Sequence, residues 1–141
     1  MKWLTRIFAA LVVIGLVVAG VMYWLGSRDG PLVVSALPEG DAPAAVIARG
    51  KYLTQIGNCV GCHTAVDTPE FSGGSGLKTE FGTFFAPNIT PDAQHGIGNW
   101  TADDFWHALH NGKAPDGSLL YPAFPYQSYS HLSRADTDAI Y

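Results

Sequence analysis

The chain has 141 residues, enough for one domain or for one domain with an appendage. Eight Lys and Arg stand against 12 Asp and Glu, a formal net charge of −4, which argues against a nucleic-acid binder with its phosphate-neutralising basic patch. Only two cysteines are present, Cys59 and Cys62, so a multi-disulfide scaffold and a four-cysteine zinc or iron–sulfur site are excluded.

Charged residues make up 14 % and hydrophobic residues 48 % of the chain, and much of that surplus sits at the N-terminus. Lys2 and Arg6 precede an uncharged run from Ile7 to Leu25, 19 residues long. As a helix it spans roughly 28 Å, close to the hydrocarbon thickness of a bilayer. Tyr23 and Trp24 at one end and Trp3 near the other suit the two membrane interfaces. A cleaved signal peptide has a shorter apolar core and a small-residue cleavage site. Here Met22-Tyr23-Trp24-Leu25 continue the run past Ala19-Gly20, so residues 1–25 are expected to be an uncleaved signal anchor. The positive-inside rule puts Lys2 and Arg6 in the cytoplasm and exports the rest. Beyond Leu25 stand 6 basic and 12 acidic residues, so the exported part is acidic, with a net charge of −6. The membrane is crossed once; in a Gram-negative cell, which the chemistry below suggests, it is the inner membrane and the folded part lies in the periplasm.

Residues 26–40 read as a linker, with Gly, Pro and Ser and no sustained helical period. Residues 41–141 are then about a hundred, enough for one modest core. Pro43 suits the first turn of a helix with Asp41 or Ala42 near its cap. Val46, Ile47, Tyr52 and Leu53 supply its apolar positions, and Gly50 leaves a flat spot for close approach of another helix. A second helix is announced by Thr101-Ala102-Asp103-Asp104, a capping box with Asp in place of Glu. Phe105, Trp106 and Leu109 follow, and Gly112 is its expected stop. A third start at Ser133-Arg134-Ala135-Asp136 has only about two turns before Tyr141. That is too few for a stable terminal helix and points to truncation.

One motif carries chemistry. Cys59-Val60-Gly61-Cys62-His63 is C-x-x-C-H, the attachment motif of c-type haem. Two thiols three positions apart on a helical turn face the same way and can form thioethers with the two haem vinyl groups. The next residue, His63, is then held where its imidazole reaches the iron as proximal ligand. A thioredoxin-like C-x-x-C would need a strand and a following helix, and neither is visible here. A plain disulfide gives no reason for His63 to follow directly. One covalent haem is the expected cofactor.

Several further motifs occur in order. Arg49-Gly50-Lys51-Tyr52-Leu53, Cys59-Val60-Gly61-Cys62-His63-Thr64 and Phe81-Gly82-Thr83 come first. Pro87-Asn88-Ile89-Thr90-Pro91-Asp92, Gly96-Ile97-Gly98-Asn99-Trp100 and Leu120-Tyr121-Pro122-Ala123-Phe124-Pro125-Tyr126 follow. Together they resemble the cytochrome c subunits of membrane-bound bacterial dehydrogenases, the group serving alcohol, aldehyde, gluconate and molybdenum-type hydroxylases. The resemblance covers roughly residues 49–141. It implies an all-α, class I cytochrome c-like domain behind the transmembrane helix, with N- and C-terminal helices crossing near Gly50 and Tyr141. Family members often carry three haem domains in a row, so this chain would be a single-haem relative or the first domain of a longer protein.

The sixth iron ligand is open. The family commonly has Met where Phe124 stands, and the only methionines are Met1 and Met22. His95, His107, His110 and His131 remain. His131 is the candidate ligand because it follows the Tyr-Pro motif by a few residues, and an unfilled sixth position is the alternative. Asp103 and Asp104 read as helix N-terminal charges rather than a catalytic pair. Phe81, Phe84, Phe85, Trp100, Phe105, Trp106, Tyr121 and Phe124 read as the apolar envelope of the haem.

The expected function is a non-enzymatic electron carrier. It would take electrons from a dehydrogenase subunit and pass them to quinone, another cytochrome or a terminal oxidase. The alternative is a five-coordinate haem protein that binds a small gas or peroxide. A bare structural anchor is a third idea, and no nucleic-acid partner is expected.

Overall fold

A computed structural model describes residues 2–30, 32–35 and 42–141. The chain divides into two compact units, residues 1–30 and 31–141. The first consists of helix α1, Lys2–Gly26, which buries none of its residues. An apolar surface all round is what a helix in lipid needs. With a mean hydropathy of 2.5, α1 is long and apolar enough to cross a membrane, as an anchor or a signal sequence does. Ser27 Oγ donates to the Trp24 carbonyl at its end, and Arg28 lies over the Trp24 ring at 3.9 Å.

The regular structure of the second unit is mainly helical. Helix α2, Ala44–Ile56, has Pro43 at its cap rather than in its first turn, one position later than the expected Ala42, with no side-chain cap bond; the other expected cap, Asp41, lies outside the described residues. A single turn, α3, runs Cys59–His63. Helix α4, Ala102–Asn111, has the expected ends. Thr101 Oγ1 accepts from the Asp104 amide at 3.1 Å while Asp104 Oδ2 accepts from the Thr101 amide at 2.8 Å. At its C-terminus Gly112 takes the left-handed conformation, φ 62°. A short α5, Tyr126–Tyr129, and α6, Arg134–Ile140, follow.

Two features correct the sequence reading. The unit is not wholly α-helical: β1, Gly76–Thr79, and β2, Gly82–Phe85, form an antiparallel hairpin that pairs Leu77 with Phe84. Thr79, Thr83, Phe84 and Phe85 suit a pleated surface, and Gly82 at φ 130° makes the turn. Helix α6 forms although it has only seven residues, because tertiary packing supplies what its length does not. Ser133 caps it, accepting from the Asp136 amide at 3.1 Å. Gly50 of α2 meets it so closely that a Cβ there would lie 1.7 Å from the Ala139 carbonyl oxygen. Arg49 and Asp136 pair across the contact at 2.9 Å. Beyond α6, the Tyr141 ring rests 5.5 Å from that of Phe105, and its hydroxyl donates to the Trp100 carbonyl.

The apolar core is Leu53, Phe105, Trp106, Ala108 and Leu109, from α2 and α4. Beside it lies a buried ion network. Arg134, 6 % exposed, pairs through Nε with Asp138 and through Nη1 with Asp103, both at 2.7 Å. Its Nη1 also donates to the Val33 carbonyl at 2.8 Å, and Ser35 Oγ donates to Asp138 at 2.6 Å. The described part of the expected linker, Leu32–Ser35, is therefore tied to α6. Asp103, read as a helix-terminus charge, has a second task as a counterion of Arg134.

Candidate functional site

Helix α3 puts the two cysteines and the histidine of the C-x-x-C-H motif on one turn. Asn58, in the left-handed conformation at φ 54°, turns the chain out of α2 and into α3. Its side chain folds against Gly61, where a Cβ would come within 2.6 Å of Asn58 Oδ1. The two sulfurs are free rather than joined to each other. Burial pushes the Cys59 thiol above the ordinary cysteine range; a backbone hydrogen bond opposes this and the neighbouring Cys62 adds to it. Cys62 is exposed.

His63 is oriented from a distance. Its Nδ1 lies 2.8 Å from the Pro87 carbonyl oxygen. A carbonyl can only accept, so Nδ1 donates and the neutral ring keeps its lone pair on Nε2, the arrangement of an imidazole that binds a metal. The hairpin brings Pro87 there. Its second strand runs on through Ala86, which is hydrogen-bonded to Ser75 at 3.0 Å and to Gly74 at 2.9 Å. Gly73 then donates to the His63 carbonyl at 2.7 Å. With φ 80° and a Cβ position 2.6 Å from Pro87 C, Gly73 has room for no other residue.

The donor set can be tested for its fit to haem. Among the described residues no cluster of three or more His, Cys, Asp or Glu converges on a bare metal ion. The motif instead offers two thiols and, separately, one imidazole with a free Nε2. Ile56 and Val66, just before and after it, expose apolar surface, Val66 to 89 %. Two sulfurs to tether, one nitrogen to ligate and apolar flanks suit a c-type haem.

The other predicted residues are spread out. His131 is exposed on the turn between α5 and α6. His107 Nδ1 contacts Asn111 Oδ1 at 3.0 Å. His110 contacts the Trp106 and Leu132 carbonyl oxygens, each at 3.0 Å, and stacks on Trp106, so both its nitrogens are engaged in the fold. His95 is exposed, 3.7 Å from Asp92. The aromatic set also divides. Phe105 and Trp106 are core, Phe84 stacks on Tyr121 at 3.7 Å, and Phe81 and Phe85 are exposed at 79 % and 68 %. Phe124 lies 5.5 Å from the Tyr129 ring.

Sequence reasoning missed two contributors. The Pro87 carbonyl is 24 residues from His63, and no spacing rule joins them. Tyr129 donates its hydroxyl to the Gly57 carbonyl at 2.8 Å, next to the motif, and it lay in sight of the Tyr-Pro segment without any signal of its own.

Comparison with known proteins adds independent weight. No family model matches the chain. The cytochrome c subunit of a quinone alcohol dehydrogenase from Gluconobacter oxydans is 45 % identical over 119 residues, covering 83 % of this chain and 25 % of the relative. A gluconate 2-dehydrogenase cytochrome c subunit from Pantoea cypripedii is 43 % identical over 112 residues, 79 % of this chain and 25 % of the relative. A protein named diheme cytochrome c-type, from Cereibacter sphaeroides, is 46 % identical over 94 residues, 63 % of this chain and 32 % of the relative. The chain thus spans about a quarter of the length of the two dehydrogenase subunits. The resemblance to cytochrome c subunits read from the motifs is thereby shown.

Proposed function

We propose that residues 41–141 form a class I-like cytochrome c domain carrying one covalent haem, and that residues 1–25 anchor it to the bacterial inner membrane with the domain in the periplasm. The observation that carries the reading is the α3 turn, with Cys59, Cys62 and a His63 whose Nδ1 is committed to the Pro87 carbonyl. The close α2–α6 contact at Gly50 supports the class I assignment, since such domains cross their terminal helices. Haem, when bound, supplies a one-electron iron couple. Cys59 and Cys62 would hold it, His63 Nε2 would be the nitrogen offered to its iron, and the Pro87 carbonyl would orient that imidazole and strengthen it as a donor.

The domain is then an electron-transfer subunit without substrate chemistry of its own. Its relatives are named as subunits of alcohol and gluconate dehydrogenases, which supports a dehydrogenase as electron donor. Quinone, another cytochrome or a terminal oxidase takes the electrons onward. The acidic exported part favours a basic docking partner, an attraction that salt weakens.

A second reading keeps its own support. Met1 and Met22 are the only methionines, so no thioether of the folded unit reaches an iron. His131 supplies the sixth ligand in the first reading, and an open site binds a gas or peroxide in the second. An optical spectrum of the haem-loaded, reduced protein with and without carbon monoxide separates them. A c-type spectrum indifferent to carbon monoxide, lost in His131→Ala, supports electron transfer with histidine as sixth ligand. A prompt carbon monoxide shift in the unmodified protein supports the open site.

A further inference from the structure

We infer that Tyr129 is a positioning residue that latches residues 121–130 to the turn carrying Cys59 and Cys62, and that releasing it opens the haem to small ligands. The inference rests on the haem reading above. Apart from the single turn α5, residues 121–130 have no regular structure, so side chains hold them. Most of those holds lead away from the motif. Tyr121 stacks on Phe84 of β2 at 3.7 Å. The Tyr126 ring fills the space where a Cβ on Gly112, at the end of α4, would lie 2.7 Å away. Just beyond the segment, the Leu132 carbonyl faces His110 of α4 at 3.0 Å.

Tyr129 leads the other way. Among the described residues, its 2.8 Å hydrogen bond to the Gly57 carbonyl is the one that joins this segment to residues 57–63. Gly57 caps α2 two residues before Cys59. A Cβ on Gly57 would lie 3.6 Å from Cys59 Sγ and 3.7 Å from Tyr129 Cε1, so ring and sulfur flank the same glycine. Phe124 stacks on Tyr129 with 19° between the rings, which holds the phenol in place for its acceptor. Burial pushes the phenol above its ordinary range, so it stays a donor at neutral pH. A ligand approaching a group tethered to Cys59 from this side must displace the segment, and local opening is governed by the few bonds that hold it.

The test uses the full chain, haem-loaded and reduced. Over long exposure to saturating carbon monoxide, its slow entry is expected to be about fivefold faster in Tyr129→Phe than in the unmodified protein, which corresponds to about 1 kcal/mol, the usual net worth of one hydrogen bond. Amide exchange of residues 121–130 should accelerate with it. Arg49→Gln removes the surface pair between α2 and α6 without touching the latch and should leave the carbon monoxide rate unchanged. Phe124→Leu, which keeps the phenol but not the stacking, should give an intermediate rate and serves if Tyr129→Phe does not fold. A wild-type rate in Tyr129→Phe, or in Phe124→Leu where that variant stands in, would overturn the latch, and so would an equal acceleration in Arg49→Gln. Failure of the unmodified chain to acquire haem would overturn the haem reading itself, a result that the pyridine haemochrome assay reads separately.

Discussion

Two neighbouring stretches of the folded unit are built on opposite principles. Helix α6 is held closely from two sides: Gly50 of α2 lies against Ala139, and buried Arg134 is locked between Asp103 of α4 and Asp138. The Cys59–His63 turn, a few residues along from α2, is half-exposed and held by a few bonds from distant loops: His63 to the Pro87 carbonyl and the Gly73 amide, and the Tyr129 hydroxyl to Gly57. The first stretch makes the unit fold. The second keeps Cys62 and the apolar flanks Ile56 and Val66 exposed and orients the His63 ring. The difference teaches that stability and chemistry sit on neighbouring helices, α2 and α3, without sharing residues.

That division can be broken from the stable side. Arg134→Leu leaves Asp138 buried without its cation and should cost about 3–5 kcal/mol in chemical denaturation. It should also free the 32–35 segment to proteolysis, because the Val33 carbonyl loses its donor. Gly50→Ala drives a methyl into the Ala139 carbonyl and should cost about 3 kcal/mol, with α2 and α6 forced apart. Thr101→Ala removes one half of the capping box and should cost about 1 kcal/mol, measured the same way.

The smallest effect sharpens the comparison through pH. The Arg49 hydrogen bond holds the Asp136 carboxyl below the usual carboxylate range. A depressed folded-state pKa stabilises the fold above the unfolded value, and that stability is lost as pH falls through the folded value. The stability of the unmodified protein should therefore decline from about pH 4 downward. Arg49→Gln should flatten that acid slope and leave neutral pH almost unchanged, since the pair is largely solvated.

Much of this was legible in the sequence because it is local. Thr101, Asp104 and Gly112 define both ends of α4, Ser133 starts α6, and Cys59, Cys62 and His63 announce their chemistry within five residues. Gly50 as a flat spot for another helix was legible too, though its partner was not. What stayed hidden depends on contacts between remote residues. The seven residues of α6 are unstable alone and are held by α2. The hairpin is short and exposed except for half-buried Phe84, so no alternation of buried and exposed residues marks it. Arg134 looked like a helix-start residue until Asp103 and Val33, 31 and 101 positions away, were brought to it.

The central claim is that this turn holds haem covalently, and one measurement addresses it directly. Trypsin cuts after Lys51 and Lys78, releasing residues 52–78 with both cysteines and His63 in one peptide. From protein made in a host with haem-attachment machinery, that peptide should carry the mass of one haem and absorb as a c-type chromophore. The same peptide recovered at its bare mass, with two thiols or one disulfide, would contradict the account.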